Sequence, residues 1–597
     1  MLMEEERMRT QVRLVDVLYP VCKNGIRYNK EVKLNNKLTF LGGIIFSIPV
    51  PKGSPLAFSM YLEQAKISRS NVAVIGAGIS GITAGILLPA KVPGIDLTIY
   101  EKNSDVGGTW LENIYPGVRC DVLANVYQST FAPNTQWTEE FAQGTKFEHT
   151  GRVSQQNTIS TNISSSARIS STLNGIPKKR KKFDILITAI GRFNAWKLPD
   201  YPGINEYRGL LRHSLNWDPN FDPTGKSVAV IGNGASGIQV VPELQKVVKH
   251  LDHYARSRTW IAGSFGGHDR KAEPMYFSPD QLKEFEDPEK YLAYRKSLED
   301  AYWRRFAGLF KNSKENLTAK GDFKLIMAKR LENNPELLEA LVPDFSPHCR
   351  RLTPGPGYLE ALGKENVSFI QTNIKRFTKD GIETADGVHR PVDAAICSTG
   401  ANIDYATPFP IVSDGVDLSS AWKPEGKYGF SFSYHGVATP GFPNLRFIHG
   451  PNAAGHSGTL PHSVETQVTY NARVLRKVSS EGIRTIVPSK AAADDFVEFS
   501  DAFFPKTVLS EGCSSWTNGG RPGGRIHGHW PGSAAHANFV RRSPRWEDFE
   551  YELRAENKSK NRFAYWRNGW TKKELVPGSD LTPYLKAPEK VDLREWH

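Results

Sequence analysis

The chain of 597 residues reads as an α/β protein with two dinucleotide-type units, and two sequence observations carry that reading. A short apolar strand, NVAVIG at 71–76, enters a Gly-x-Gly-x-x-Gly turn at Gly76, Gly78 and Gly81. A helical stretch over 80–88, closed by Pro89, and the strand DLTIY at 96–100 complete a βαβ unit. The same order recurs over 227–231, 235–250 and 251–255, around Gly232, Gly234 and Gly237 in VIGNGASGIQ.

Composition shifts divide the rest. Residues 1–70 mix charges with Pro49, Pro51 and Pro55 and form an unassigned N-terminal extension. The first unit spans 71–218, with an atypical, disorder-prone stretch at 143–182: its Ser/Thr/Asn-rich run 151–176, capped by PKKRKK at 177–182, reads as a solvated loop, and PKKRKK also matches a monopartite nuclear signal. The second unit spans 219–395 and carries a charged helical insertion at about 279–341. Mixed strands and loops at 396–597 end in an aromatic, charged tail.

Apolar residues (39%) and charged residues (23%) stand near soluble averages, which excludes a disordered, collagen-like or fibrous chain. The net charge of +13 suits anionic partners such as phosphorylated cofactors, nucleic acid or an acidic membrane surface. Charge alone does not choose among them; with the glycine turns supplying phosphate sites, no nucleic-acid partner is expected. Cys22, Cys120, Cys349, Cys397 and Cys513 lie far apart without Cys-x-x-Cys spacing, so neither a disulfide framework nor a metal site is expected, and a reducing, cytoplasmic setting fits best. The longest apolar run, 38–50, is broken by Gly42, Gly43, Ser47 and Pro49 and falls short of the ~20 residues of a spanning helix. The acidic residues within 1–9 argue against a secretory leader.

In each turn the glycines permit a tight bend, close approach of backbone to a pyrophosphate, and close helix–strand packing, while the helix N-terminus favours the negative charge. Glu101, twenty residues after Gly81, is placed to accept hydrogen bonds from a ribose, so the first site reads as FAD. The second unit has Arg256 and Arg258 at the matching place, in YARSRTW. Guanidinium donors there suit a 2′-phosphate, so the second site reads as NADP; the alternative for either arginine is a solvated strand end.

The segment YRGLLRHSLNWDP places Tyr207, Gly209, His213 and Trp217, followed by Asp218, at the spacing of a family fingerprint. On these residues the chain resembles the class B flavoprotein monooxygenases and, through Trp217, their Baeyer–Villiger type. A purely structural role for His213 is also compatible, since that fingerprint lies in a linker between domains. The likeness extends over GGTWLENIYPGVRCD at 107–121, CRRLTPGPGYLEAL at 349–362, CSTG at 397–400, HGPN at 449–452, WPGS at 530–533 and NRFAYWRNGW at 561–570. It covers about 71–142 and 183–570 and looks most like fungal FAD-dependent monooxygenases of polyketide or meroterpenoid pathways.

The resemblance implies two Rossmann-like domains, for FAD and NADP, in three-layer ββα sandwiches with a helical insertion, residues 396–597 completing the FAD domain. It implies flavin or nicotinamide contacts at Thr109, Trp110, Leu111, Glu112, Arg119, Cys120, Asp121, Val122 and Tyr127. For NADP it implies Asn233, Ala235, Ser236, Gln239, Ser257 and Arg350 beside the second turn. The implied activity uses NADPH and O2 to insert one oxygen atom beside a ketone carbonyl, giving an ester or lactone. Arg351, in HCRRLTP, would face the negative charge that develops, and Asp121 would orient it. An ion-pair cluster of purely structural role is the alternative for these arginines. Where relatives have a helix and an aromatic-rich hairpin, 143–182 has neither Trp nor Tyr, so an impaired flavin-binding relic stands as one alternative function; a related heteroatom monooxygenase is the other, against which Trp217 and Asp121 weigh.

Overall fold

The computed structural model describes residues 70–144, 181–262 and 275–590, except 194, 333, 402, 404, 406 and scattered positions between 555 and 572; outside these it gives only the backbone of two short strands, 13–14 and 167–170. The first unit is β1 (Ser70–Ile75), α1 (Ile79–Lys91), β2 (Ile95–Tyr100), β3 (Ala167–Ser170) and β4 (Ile185–Thr188). The second is β5 (Leu210–His213), β6 (Ser227–Ile231), α2 (Ala235–Gln245), β7 (His250–Tyr254), β8 (Val367–Ile370) and β9 (Ala394–Cys397). The chain then returns through β10 (Leu445–Phe447) and α3 (Leu460–Ser480).

Each unit is a five-stranded sheet, in the orders β10-β4-β1-β2-β3 and β5-β9-β6-β7-β8. Every pairing within both is parallel. Parallel strands buried on both faces read as continuous apolar runs, as NVAVI and SVAVI do. In the first unit Val72, Val74, Leu97, Ile185 and Ile187 pack with Val464, Val468 and Leu475 of α3. In the second, Val228, Val230, Ile238 and Leu251 pack with Tyr358, Leu359 and Ile396. Strand β5, which carries the fingerprint histidine, pairs with β9 in the second sheet.

The expected insertion is four helices, Pro279–Glu284, Pro288–Trp303, Lys314–Arg330 and Pro335–Leu341. Each starts where a side chain accepts an otherwise unpaired backbone N–H, from Ser278, Asp287, Ser313 and Asn334 respectively. Two helix ends differ from the sequence reading. Helix α1 continues through Pro89 to Lys91, because a proline costs one hydrogen bond without forcing its own φ out of the helical range. Helix α2 stops at Gln245, five residues before the expected end.

The cysteine expectation is corrected. Cys349 and Cys513 form a disulfide across 164 residues of sequence, with Cα atoms 6.2 Å apart. Spacing along the chain could not reveal it, since the pairing depends on the 513 segment folding back onto 349. Cys120 and Cys397 are buried free thiols. The loop reading of 151–176 is corrected at 167–170, which pairs in parallel with β2 as the edge strand β3; 145–166 and 171–180, with most of the basic run, and nearly all of 1–69 lie outside the described residues. Among the described residues no helix is long and apolar enough to cross a membrane.

Candidate active site

Both glycine turns are built alike. Gly76 and Gly232 sit at φ +105°, and a Cβ at Gly81 or Gly237 would lie 1.9 Å from the carbonyl oxygen of Gly76 or Gly232. Only glycine lets the helix approach its strand so closely. Gly78 and Gly234 precede α1 and α2, and no side chain caps either helix. The first N–H groups of both helices are therefore presented to whatever occupies the turn. A Cβ at Gly234 would meet nothing within 4 Å, and one at Gly78 only the Gly108 backbone, at 3.5 Å. Glu101 is buried at the end of β2, its Oε2 accepting the Ala77 N–H at 2.6 Å and its Oε1 the Asn103 N–H at 3.0 Å. Uncapped donors, an open approach and an acidic strand end fit a dinucleotide at the first turn.

The segment 107–127 joins the two turns. The Gly107 N–H donates to Ala77 O at 3.0 Å, and Gly108 lies against Gly78. Thr109, Trp110, Leu111 and Glu112 form one short helix there. Glu112 accepts from Asn103 and pairs with Lys102, and Trp110 meets Tyr127 edge to face at 5.9 Å. Further on, the Tyr115 hydroxyl donates to Gln239 Oε1 at 2.9 Å and accepts from Ser236 Oγ at 3.2 Å, while Gln239 Nε2 donates to Arg119 O at 2.9 Å. Ser236 and Gln239 belong to the first turns of α2. A strip that begins on the first nucleotide turn thus ends on the second.

At the end of this strip Asp121 meets Arg351. Nε donates to Oδ2 and Nη2 to Oδ1, both at 2.8 Å, a two-pronged pair with 46% of the arginine side chain and 23% of the aspartate side chain exposed. Arg119 pairs instead with Glu139 at 3.2 Å. Cys120 and Tyr127 pack with Trp137 and Val122, and burial holds both of their pKa values above the ordinary range, so neither ionises near neutrality. Tyr115, also buried, is pushed up to about 12.

The segment carrying Arg350 and Arg351 lies against the second unit: Thr353 bridges Ile261, and the Arg350 Nη1 donates to Arg258 O at 3.2 Å. Asn233 Nδ2 donates to Ser257 O at 2.5 Å, holding the end of β7 to the glycine turn. Arg256, Ser257, Arg258 and Arg350 therefore share one mouth of the second sheet. Ala235 opens α2 directly behind Gly234.

The fingerprint residues form a joint. The Tyr207 hydroxyl donates to Val392 O at 2.8 Å, and a Cβ at Gly209 would come within 2.2 Å of that hydroxyl oxygen. His213 is buried, accepts the Leu215 N–H at Nδ1 (3.1 Å) and lies 3.1 Å from Gly400 O at Nε2, which assigns a neutral ring with its proton on Nε2. Burial lowers its pKa, and Trp196 stacks on it at 5.6 Å. Asp218 pairs with Arg212, and Trp217 packs edge-on against Phe221. His213 thus fastens β5 to the loop after β9 and touches neither glycine turn.

Sequence reasoning missed a wall of rings behind Arg351. His348 meets His456 at 5.2 Å, His456 meets His529 at 5.9 Å, and His529 meets Trp516 at 5.1 Å. Burial holds His348 near 4 and His529 near 3, so both are neutral at pH 7. At the far end, Arg192 lies against Trp516. No spacing signal marks these residues, which come from four separated segments.

Two parallel sheets, each with a glycine turn opening a helix, and a carboxylate–guanidinium pair between them define a two-dinucleotide enzyme. Family models match over 74–143, a NAD(P)-binding Rossmann-like domain, and over 152–275, a flavin-binding monooxygenase-like family. The "FAD-binding monooxygenase tazF" of Aspergillus terreus is 32% identical over 86% of this chain and 94% of its own length. A "Baeyer-Villiger monooxygenase" of Pseudomonas aeruginosa is 29% identical over 77% of this chain and 88% of its own. Cyclohexanone monooxygenase from Rhodococcus sp. Phi1 bound to NADP+ has the same fold, with a TM-score of 0.68, 21% identity, and coverage of 82% of this chain and 100% of its own. The chain belongs to the flavin-binding monooxygenase family, as the fingerprint and the two turns lead one to expect.

Proposed function

We propose that this monooxygenase is of the Baeyer–Villiger type, dependent on NADPH, and inserts one oxygen atom beside the carbonyl of a secondary-metabolite ketone in the cytoplasm. Ketone, O2, NADPH and a proton give an ester or lactone, water and NADP+. FAD held at the first turn, by the α1 N-terminus, Gly76, Gly78, Gly81 and Glu101, supplies hydride acceptance and oxygen activation. Residues 71–218, apart from the strand Leu210–His213 that pairs into the second sheet, form its domain with 396–597, and 219–395 together with that strand form that of the nicotinamide.

The observation that carries the proposal is the Arg351–Asp121 pair, placed where the strip from the FAD turn meets the NADP unit. Asp121 takes two donors of the guanidinium and so fixes its plane. A fixed permanent cation stabilises charge that develops during oxygen transfer without reorganising. Arg256 and Arg350 bind the 2′-phosphate; Ser236, Gln239 and Tyr115 hold the two cofactor turns in register. Trp217 and the Pseudomonas relative support ketone rather than heteroatom oxidation. The test is anaerobic reduction of the purified holoenzyme by NADPH and by NADH, followed by aerobic turnover of a ketone and of a thioether. Ester formation with NADPH preference is expected; sulfoxide alone would assign the enzyme to heteroatom oxidation.

A further inference from the structure

Arg192 is a buried guanidinium with an unused face. It follows β4, and only 7% of it is exposed. Its Nη1 donates to Gly528 O at 3.2 Å, while Nε and Nη2 have no partner. Among the described residues no carboxylate stands within ion-pair distance of it. The guanidinium lies 4.8 Å from the Tyr405 ring centroid and 4.9 Å from that of Trp516. Those rings and Gly528 belong to the C-terminal part of the chain, and Trp516 joins Arg192 to the wall of rings that runs back to Arg351.

A buried, uncompensated cation is costly, and such a group is retained where a partner arrives to meet it. The unused donors identify that partner. Nε and Nη2 form the edge of the guanidinium that grips a carboxylate with two parallel bonds, and Arg351 uses this same edge on Asp121. Other groups facing Arg192 also favour an anion. The Tyr405 hydroxyl is buried without a partner, and burial pushes its pKa up to about 12, so it keeps a proton to donate. His449, His527 and His529 are held neutral by burial, with Arg192 adding to the effect, so they bring no negative charge that could satisfy it. Tyr405 itself holds φ +57°, an unfavourable conformation for a bulky residue and one that surrounding structure must enforce.

We infer that Arg192, with the Tyr405 hydroxyl, anchors a carboxylate carried by the substrate, so that the enzyme selects keto acids over neutral ketones. This rests on the ketone-oxidising reading above. Arg192 acts here as a specificity residue: it fixes one end of the substrate while oxygen transfer proceeds at the other end of the ring wall, near Arg351.

The test compares 4-acetylphenylacetate with its methyl ester, and 4-(methylthio)phenylacetate with its methyl ester, on the holoenzyme and on Arg192→Met and Arg192→Lys. The unmutated enzyme is expected to favour the acid ketone in kcat/KM by about ten- to a hundredfold, the range of a hydrogen-bonded charge pair. The acid is also expected to perturb the flavin absorption spectrum at lower concentration than the ester does. Arg192→Met should bring both preferences close to one, and Arg192→Lys, which keeps charge without the fork, should retain part of each. Ketones oxidised without acid preference overturn the anchor and leave the ketone reading standing. Acid-selective sulfoxidation with untouched ketones does the reverse. Loss of FAD from a folded Arg192→Met protein, with the acid preference absent from the Lys variant, would instead give the guanidinium to the cofactor and overturn the inference.

Discussion

Replacing Arg351 by alanine separates the two halves of the catalytic cycle. The pair with Asp121 is partly exposed, with 46% of the arginine side chain open to solvent, so its loss should cost the fold about 1 kcal/mol or less. The glycine turns and the Ser236–Tyr115–Gln239 contacts are untouched by the change, so FAD and NADPH should still bind. Charge that develops during oxygen transfer loses its fixed cation. Removing one preorganised electrostatic partner costs roughly 2.7–4 kcal/mol, a factor of about 10²–10³ in rate.

The variant should therefore hold FAD, be reduced by NADPH in anaerobic stopped flow, though more slowly, and then consume NADPH in air while releasing hydrogen peroxide and little ester. Product chromatography and a peroxide assay on the same reaction give the coupling ratio. Asp121→Ala should move that ratio the same way but less, since the guanidinium remains and only its plane is released. An Arg351→Ala enzyme that makes ester at the unmutated rate would refute the reasoning, and Arg350 would inherit the role.

Arg256→Ala should narrow the NADPH-over-NADH preference in flavin reduction by about 1–3 kcal/mol, read from the two reduction rates. Gly78→Ala should fold yet lose flavin colour, because its Cβ has room against Gly108 but stands in the phosphate approach; Gly81→Ala, 1.9 Å from a carbonyl oxygen, should fail to accumulate as folded protein. Thiol titration in denaturant should find two fewer free thiols before reduction than after, and Cys513→Ser should lower Tm, the chain-entropy ceiling for so long a loop being about 5 kcal/mol. Stability should fall as pH drops below about 6.5. The buried His253, held near 4 chiefly by burial, refuses a proton that the unfolded chain binds, a loss on the order of 3 kcal/mol by pH 4, checked by urea melts across that window.

What the sequence made legible was local. A glycine turn, the strand before it and the helix after it are consecutive, so their chemistry is written within about 30 residues, and both units could be read directly. Glu101 belongs to the same class, since it ends the adjacent strand. Asp121 and Arg351 lie 230 residues apart, and no periodicity links them; family likeness alone put them on one page. His213 shows the opposite case, a fingerprint residue whose spacing was plain but whose neutral, doubly bonded ring ties β5 to the loop after β9.

Arg192 shows why the remainder was hidden. In sequence it is an arginine just beyond a strand and a glycine, a position that in most chains is solvated, and nothing within ten residues distinguishes it from the exposed Lys197. Its burial is made by Tyr405, Trp516 and Gly528, more than two hundred residues later, which close over the end of β4. The same folding-back pairs Cys513 with Cys349, two residues before Arg351. One C-terminal segment therefore covers Arg192 and is fastened beside Arg351, so the distance between the two cations is set by covalent and packing constraints together. If Arg192 anchors the substrate, that distance selects which carbonyl of a bound keto acid reaches the oxygen-transfer site. Reducing the disulfide should then erode regioselectivity on a diketo acid before it erodes flavin binding, with the ratio of ester isomers as the readout. An isomer ratio unchanged by reduction, at full flavin content, would show that packing alone fixes the two arginines.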